Sequence, residues 1–339
     1  MKIDFVIPWV DGSDPEWIRE KNRFIGSHDQ EEIDASAARY RDWDELKYWF
    51  RGIELYAPWV NKIYFVTNGQ YPSWLVKEHE KLVWIKHEDY IPKEYLPTFS
   101  SHPIELNFHR IEGLSEFFVY FNDDMFLTSP TVEEDFFKHS LPCGLAIESP
   151  ITPDHNDVFY HILLNNTMLL NRHFNRSDFK RNVRKKRLSL VDKRAFTMNL
   201  LFEAFQRDFF FGFEFTHLPS SFLKKTFVDV WEDNYEFLDQ ACRNKFRCIR
   251  DVNQFIFCDH QYVTGNFTPY PSYKYGKAFH LEDNPGPKNN IQETCDAIRD
   301  RKYKMICVNE HHVKNFTETK RLINAAFESA FPSKSSFEK

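Results

Sequence analysis

The sequence predicts an α/β protein: a mainly parallel sheet flanked by helices, with a helical insertion. Three observations predict it. Short apolar runs end in Gly-, Asp- or Asn-rich turns, segments of helical apolar spacing lie between them, and this alternation lapses over residues 146–215, where basic residues gather. Strands separated by helices pair in parallel, because the crossover gives the chain the length it needs to return alongside itself.

The elements follow in order. Residues 3–10 (IDFVIPWV) are an apolar run that stops in Asp11-Gly12-Ser13-Asp14-Pro15, which reads as a buried strand ending in a turn. From Asp44 to Tyr56 the apolar residues Leu46, Trp49, Phe50 and Ile53 recur at helical spacing, and Ala57-Pro58 closes the helix. Residues 62–67 and 82–85 are β-rich, the first broken by Asn68-Gly69. A helix is expected around 101–111, then the strand Phe117–Phe121, which runs straight into Asn122-Asp123-Asp124. Beyond the insertion, a helix is expected over 222–240. A further strand, 305–308, is expected to stop at Asn309-Glu310 on the same sheet edge, and the last helix carries Leu322, Ile323, Ala326 and Phe327. This divides the chain into an N-terminal α/β half (1–145), a basic insertion or cap (146–215) and a C-terminal part that completes the domain (216–339). The sheet is Rossmann-like or GT-A-like.

Composition narrows the function. A net charge of −6 lacks the dominant positive field of a general nucleic-acid binder, and 17% aromatic residues exclude a disordered chain. The six cysteines form no CxxC pair and no zinc spacing, so free thiols in a reducing cytosol are expected. Met1-Lys2-Ile3-Asp4 does not open a signal peptide and no apolar stretch approaches about 20 residues, so a cytoplasmic chain is expected, with peripheral contact at the inner membrane face as an option. The four Asn-x-Ser/Thr sequons read as chance without an export signal.

Ligands of open α/β sheets sit outside the carboxyl ends of the strands. Asp11 and Asp123-Asp124 stand there, and paired carboxylates suit Mg²⁺ or Mn²⁺ against a diphosphate. Asp11 by itself reads equally as a turn or cap residue. Between Arg172 and Arg194, ten Lys/Arg face two Asp. That run is either a solvated face or a surface for an anionic acceptor or lipid headgroups.

Asp4-Phe5-Val6 through Trp9-Val10-Asp11-Gly12-Ser13-Asp14-Pro15 resembles the opening motif of the Stealth family of sugar-1-phosphate transferases, which includes bacterial capsule polymerases and the GlcNAc-1-phosphotransferase of lysosomal enzymes. The family's second block resembles Arg41-Asp42, Glu45–Tyr48, Tyr56–Trp59, Val66–Gln70, Leu96–Ser101, Glu105, His109-Arg110-Ile111, Gly113-Leu114-Ser115 and Asn122-Asp123-Asp124. The third is similar around His217 and Arg247…Asp251. The fourth resembles Cys307-Val308-Asn309 and the tail 331–338, which is expected to dock back onto the domain. Two positions depart from the family: Glu310 stands where an Asp is usual, and Ile7-Pro8 where Tyr-Thr is commoner.

The resemblance implies transfer of a hexosamine-1-phosphate from a UDP-HexNAc donor (UDP-GlcNAc or similar) to a glycan or lipid-linked glycan acceptor, releasing UMP, in capsular or cell-surface polysaccharide synthesis. It implies Mg²⁺ or Mn²⁺ on Asp123 and Asp124, Arg247 on the phosphoryl oxygens and His217 as general base. Asn122 and Asn309 would stand near the metal, Asp11 would bind the donor nucleotide or the metal, and Arg41, Ser100, Ser101, Glu105, His109 and Arg110 would line the sugar side or brace the site. The alternatives are a metal-dependent GT-A-type glycosyltransferase releasing UDP and a non-catalytic carbohydrate binder.

Overall fold

A computed structural model describes every residue except 27–32, 35–39, 153–157, 285, 287 and 288. The strands β1 (Ile3–Pro8), β3 (Ile63–Thr67), β4 (Leu82–Lys86), β5 (Phe117–Tyr120) and β9 (Ser220–Leu223) form a sheet of order β4-β3-β1-β5-β9. The first four are parallel and β9 runs antiparallel along β5. The mainly parallel α/β expectation is met.

β1 is apolar at all but one position because both its faces are covered, and the exception, Asp4, is buried with its carboxylate accepting from Asn61 and the Ser115 N–H. Ile3, Phe5 and Ile7 enter one core, where Leu46, Trp49, Phe50 and Ile53 of α2 (Leu46–Tyr56) meet Ile323, Ala326 and Phe327 of α12 (Phe316–Ala330). Val6 points the other way. It joins Tyr64, Val66, Phe118 and Tyr120 in a core closed by α4 (Ser101–Leu106), α9 (Lys224–Arg243) and α10 (Phe255–Val263). α11 (Ile291–Arg299) adds Ile291, Cys295, Ala297 and Ile298 to the first core, α3 (His87–Tyr90) adds Tyr90 to the second, and α1 (Pro15–Ile25) packs Trp17 against Phe99 and Phe246.

Three boundaries differ from the sequence reading. The helix expected over 101–111 ends at Leu106 and gives way to a single 3₁₀ turn, Phe108–Arg110; at Asn107 the backbone leaves the helix and the side chain bonds back to the Pro103 carbonyl at 2.8 Å. The helix expected from 222 begins at Lys224, because 220–223 is taken up as the edge strand β9. The late strand is not on the main sheet edge. After the turn at 122–124 the chain leaves that sheet as β6 (Met125–Leu127), which pairs antiparallel with β13 (Met305–His312); β13 pairs in parallel with β12 (Gly276–Glu282). β13 therefore continues through Asn309 and Glu310 instead of stopping there.

Short pairs complete the frame: β2 (Ile33–Asp34) with β10 (Arg247–Cys248), and β8 (Leu141–Gly144) with β7 (Phe137–Lys138) and β11 (Thr268–Pro269). The insertion is helical as expected, with α5 (Val158–His173), α6 (Arg176–Asn182), α7 (Arg184–Arg187) and α8 (Lys193–Phe202). Its basic run is not one uniform surface. Arg176 and Arg187 are buried and both pair with the buried Glu148, Arg187 at 2.9 Å. Arg176 also caps the Phe202 and Phe205 carbonyls, so two of the ten cations belong to the core.

The C-terminal tail docks as the resemblance implies: Phe337 is buried, and Arg51 holds both Glu338 oxygens at 2.8 Å. All six cysteines are free. No helix among the described residues is long and apolar enough to cross a membrane.

Candidate active site

β1 and β5 are neighbours at the point where the strand order reverses, the usual ligand position in an open α/β sheet. The turns that leave them carry Asp11 and Asn122-Asp123-Asp124. The first turn is clamped by Gln70, whose Oε1 accepts from the Asp11 N–H and whose Nε2 donates to the Asp11 carbonyl, both at 2.9 Å. Ser13 donates to Asp11 Oδ1 at 2.6 Å. Position 12 must be Gly, because a Cβ there would lie 1.8 Å from the Tyr40 carbonyl oxygen. That close approach carries the chain past the turn, and the Asp42 carboxylate feels the charge of Asp11.

The second turn is held from the other sheet. The Val308 N–H donates to the Asp124 carbonyl at 2.8 Å, and Asn309 Nδ2 donates to Asp124 Oδ2 at 2.9 Å. His217 Nε2 stands 4.0 Å from that same oxygen. Asp124, His217 and Cys307 each bring a ligand atom within 4.8 Å of the others.

The acids crowd one another. Asp123 is pushed up to about 7, first by loss of surrounding water and then by the charges of Asp124 and Asp42. Its side chain still reaches solvent, so it stands in dense surroundings that remain open on one side. Glu45, at the start of α2, is buried and raised well above the carboxylate range by burial and by Asp124, Asp123 and Asp42. Asp124 Oδ1 and Glu45 Oε1 are buried with no hydrogen-bond partner among the described residues. Converging carboxylates with orphaned oxygens are what a hard divalent cation fits. Asp124, whose Oδ1 is orphaned and which groups with His217 and Cys307, could hold one, and Asp123 stands exposed beside it.

A hydrogen-bond chain runs from the buried Glu105 and Tyr120 to the half-buried Asn122 and His217. Tyr120 Oη contacts Glu105 Oε1 at 2.8 Å and also Asn122 Oδ1, and Asn122 Nδ2 lies 3.1 Å from His217 Nε2. Burial and the adjacent Glu105 push the Tyr120 phenol well above its usual range, so it stays a hydrogen-bond donor.

Arg247 belongs to a neighbouring group. Its Nη2 donates to Ser101 Oγ at 2.9 Å. Asp251, fully buried, accepts from the Cys248 N–H and Asn244 and bonds His102 Nδ1 at 2.8 Å, which fixes the loop that carries Arg247 against the start of α4. Ser100 caps that helix through the His102 N–H. Arg41 pairs with Glu310 Oε1 at 2.6 Å, one residue beyond Asn309. His109 and Arg110 pack against Trp231 of α9 instead, and burial, then Arg110, pushes His109 down to about 3.

The sequence reading did not assign Glu45, Asp42, Tyr120 or Cys307 a role in the site. Asp42, Glu45 and Cys307 did stand in the motif blocks of the resemblance, without a role, and Tyr120 lies two residues before Asn122 in the strand run.

The chain is similar along its whole length to curated proteins. The capsular polysaccharide phosphotransferase WcwK of Streptococcus pneumoniae is 38% identical over 339 residues, covering 100% of this chain and 98% of that one. The family descriptions Stealth protein CR1 and CR2, conserved regions 1 and 2, match residues 1–29 and 39–143. The chain belongs to the Stealth family. Within it, the receptor polysaccharide phosphotransferase WefC of Streptococcus oralis is 37% identical over 344 residues, covering 99% of both chains. The exopolysaccharide phosphotransferase cps2G of Lactiplantibacillus plantarum is 35% identical over 346, covering 99% and 96%. This Stealth protein is accordingly a transferase enzyme. Among solved structures, the galactosyltransferase LgtC covers 95% of both chains at 9% identity and a TM-score of 0.38.

Proposed function

We propose that this Stealth protein transfers hexosamine-1-phosphate from a UDP-HexNAc, UDP-GlcNAc or a similar donor, to a glycan hydroxyl in capsular or cell-surface polysaccharide synthesis. The product is a phosphodiester and the leaving group is UMP. The observation that carries this reading is the meeting of Asp124, His217 and Asn309 outside the strand ends, in a chain aligned end to end with polysaccharide phosphotransferases.

In this reading the acceptor oxygen attacks the β-phosphorus, the phosphoanhydride bond to UMP breaks, and the acceptor proton passes to His217. Charge grows on the equatorial oxygens and on UMP, so catalysis rests on positioning and cationic stabilisation. Asp123 and Asp124 would hold Mg²⁺ or Mn²⁺, which supplies Lewis-acid charge to the diphosphate when bound. Arg247 presents a planar fork to the phosphoryl oxygens. Asn122 now occupies His217 Nε2, so the acceptor hydroxyl displaces that contact before the nitrogen takes its proton.

A donor labelled at the β-phosphorus tests the reaction. Label retained in the glycan with release of UMP supports it; release of labelled UDP makes the protein a glycosyltransferase. His217→Ala is expected to lower kcat roughly 10²–10⁴-fold and to remove the acid limb of the pH–rate profile. Arg247→Lys is expected to fail while keeping that limb, since an ammonium cannot reproduce the fork.

A further inference from the structure

The outward face of α8 is apolar where a solvated helix would be polar. Lys193, Arg194, Thr197, Leu200, Leu201, Ala204 and Phe205 recur at helical spacing, and all are exposed. The backbone bonds Glu203 N–H to Leu200 O, Ala204 N–H to Leu201 O and Phe205 N–H to Phe202 O carry the stripe one turn past the helix end. Side chains three and four apart are neighbours on such a surface, so the stripe is continuous. It is cationic at its start and apolar at its end: Leu200 is 50% exposed, Leu201 59% and Phe205 49%. The opposite face is spent on the protein, with Ala195, Asn199 and Phe202 buried. Leu190 and Val191 before the helix and Phe209 after it are exposed too, as are Arg184, Lys185 and Arg207.

We propose that this edge of the insertion is a membrane-docking surface: the Leu200–Leu201–Phe205 edge enters the acyl boundary of an anionic bilayer while Arg184, Lys185, Lys193 and Arg207 meet its headgroups. Charge complementarity selects this occupant. The chain carries −6 overall, yet the exposed charges of residues 184–209 are Arg184, Lys185, Lys193, Arg194 and Arg207 against Asp208, so this segment is a local positive exception. A two-fold contact between copies through this face would bring the same cations against one another. Apolar anchors combined with basic side chains are the signature of interfacial binding, each cation adding headgroup attraction that salt weakens. The surface would hold the enzyme beside a lipid-linked acceptor, but the docking itself does not depend on the phosphotransfer reading.

Vesicle pelleting tests it without any turnover. The full chain is expected to pellet with phosphatidylcholine vesicles containing phosphatidylglycerol, weakly with phosphatidylcholine alone, and less as salt rises. Leu200→Gln/Leu201→Gln/Phe205→Gln is expected to lower partitioning roughly tenfold or more with an unchanged circular-dichroism spectrum. Arg184→Glu/Lys185→Glu is expected to remove the preference for anionic vesicles. The proposal is overturned if the wild-type chain does not pellet with anionic vesicles, or if the triple variant pellets as wild type does. It is also overturned if lipid-free wild type is a dimer that the triple variant dissolves, which would give the face to a second copy of the chain.

Discussion

Asn309 reaches across from the second sheet to donate to Asp124 Oδ2 at 2.9 Å, so a residue near one end of the chain sets the rotamer of an acid at the end of a central strand. The Val308 N–H holds the Asp124 carbonyl beside it. The acid turn is thus fixed from both main chain and side chain, while Asp124 Oδ1 is buried without a hydrogen-bond partner among the described residues.

Removing that support is expected to act on turnover. Asn309→Ala leaves β13 paired through its backbone but frees the Asp124 carboxylate, and roughly a 10–100-fold loss of activity or metal affinity is expected, as for other groups that orient a ligand. Asp124→Asn is expected to cost more, and excess EDTA to abolish what remains. Steady-state kinetics across a Mg²⁺ titration distinguish the two, because Asn309→Ala recovers in part at high Mg²⁺ and Asp124→Asn does not.

Tyr120→Phe cuts the chain from Glu105 to His217 by one oxygen. It leaves the buried Glu105 without its phenol partner, at a stability cost of about 1–3 kcal/mol. A lower kcat is expected with donor KM nearly intact, together with a shift in the acid limb of the pH–rate profile. An unshifted limb would make Tyr120 a packing residue only.

Arg176→Met removes one of the two guanidinium groups on the buried Glu148 and uncaps three carbonyls, those of Phe202, Phe205 and Arg207. A loss of about 3–5 kcal/mol in denaturant unfolding is expected. Vesicle binding by the folded fraction should be unchanged, which separates the structural cations of the basic run from its exposed ones.

His87 is buried at the start of α3 and pushed down by burial from 6.5 to about 3. The unfolded chain takes up this proton near 6.5 and the folded one does so only near 3. Between those values the unfolded state binds more protons, and stability falls as pH falls. His87→Gln is expected to flatten the melting temperature across that window. An equally steep acid limb in the variant would assign it to other groups.

The sequence by itself determined the local elements and the chemistry at their ends. Residues 3–8 are apolar except for Asp4, whose buried carboxylate accepts from Asn61 and the Ser115 N–H, because both faces of β1 are covered, and that reads as a central strand. The acids after β1 and β5 could be placed at the ligand end of the sheet for the same reason: a parallel strand order fixes which edge carries the site. What the sequence could not carry was any pairing set by distance along the chain. β13 reads as another strand of the main sheet, and only its hydrogen bonds to β6 assign it to a second sheet and bring Asn309 to Asp124. Arg176 and Arg187 read as surface charge because Glu148, the acid that buries them, lies 28 and 39 residues away. His109 and Arg110 sit next to site residues in sequence, yet the 3₁₀ turn at 108–110 aims them at Trp231. In each case side-chain direction and long-range partner decided the role, and neither is a property of local residue order.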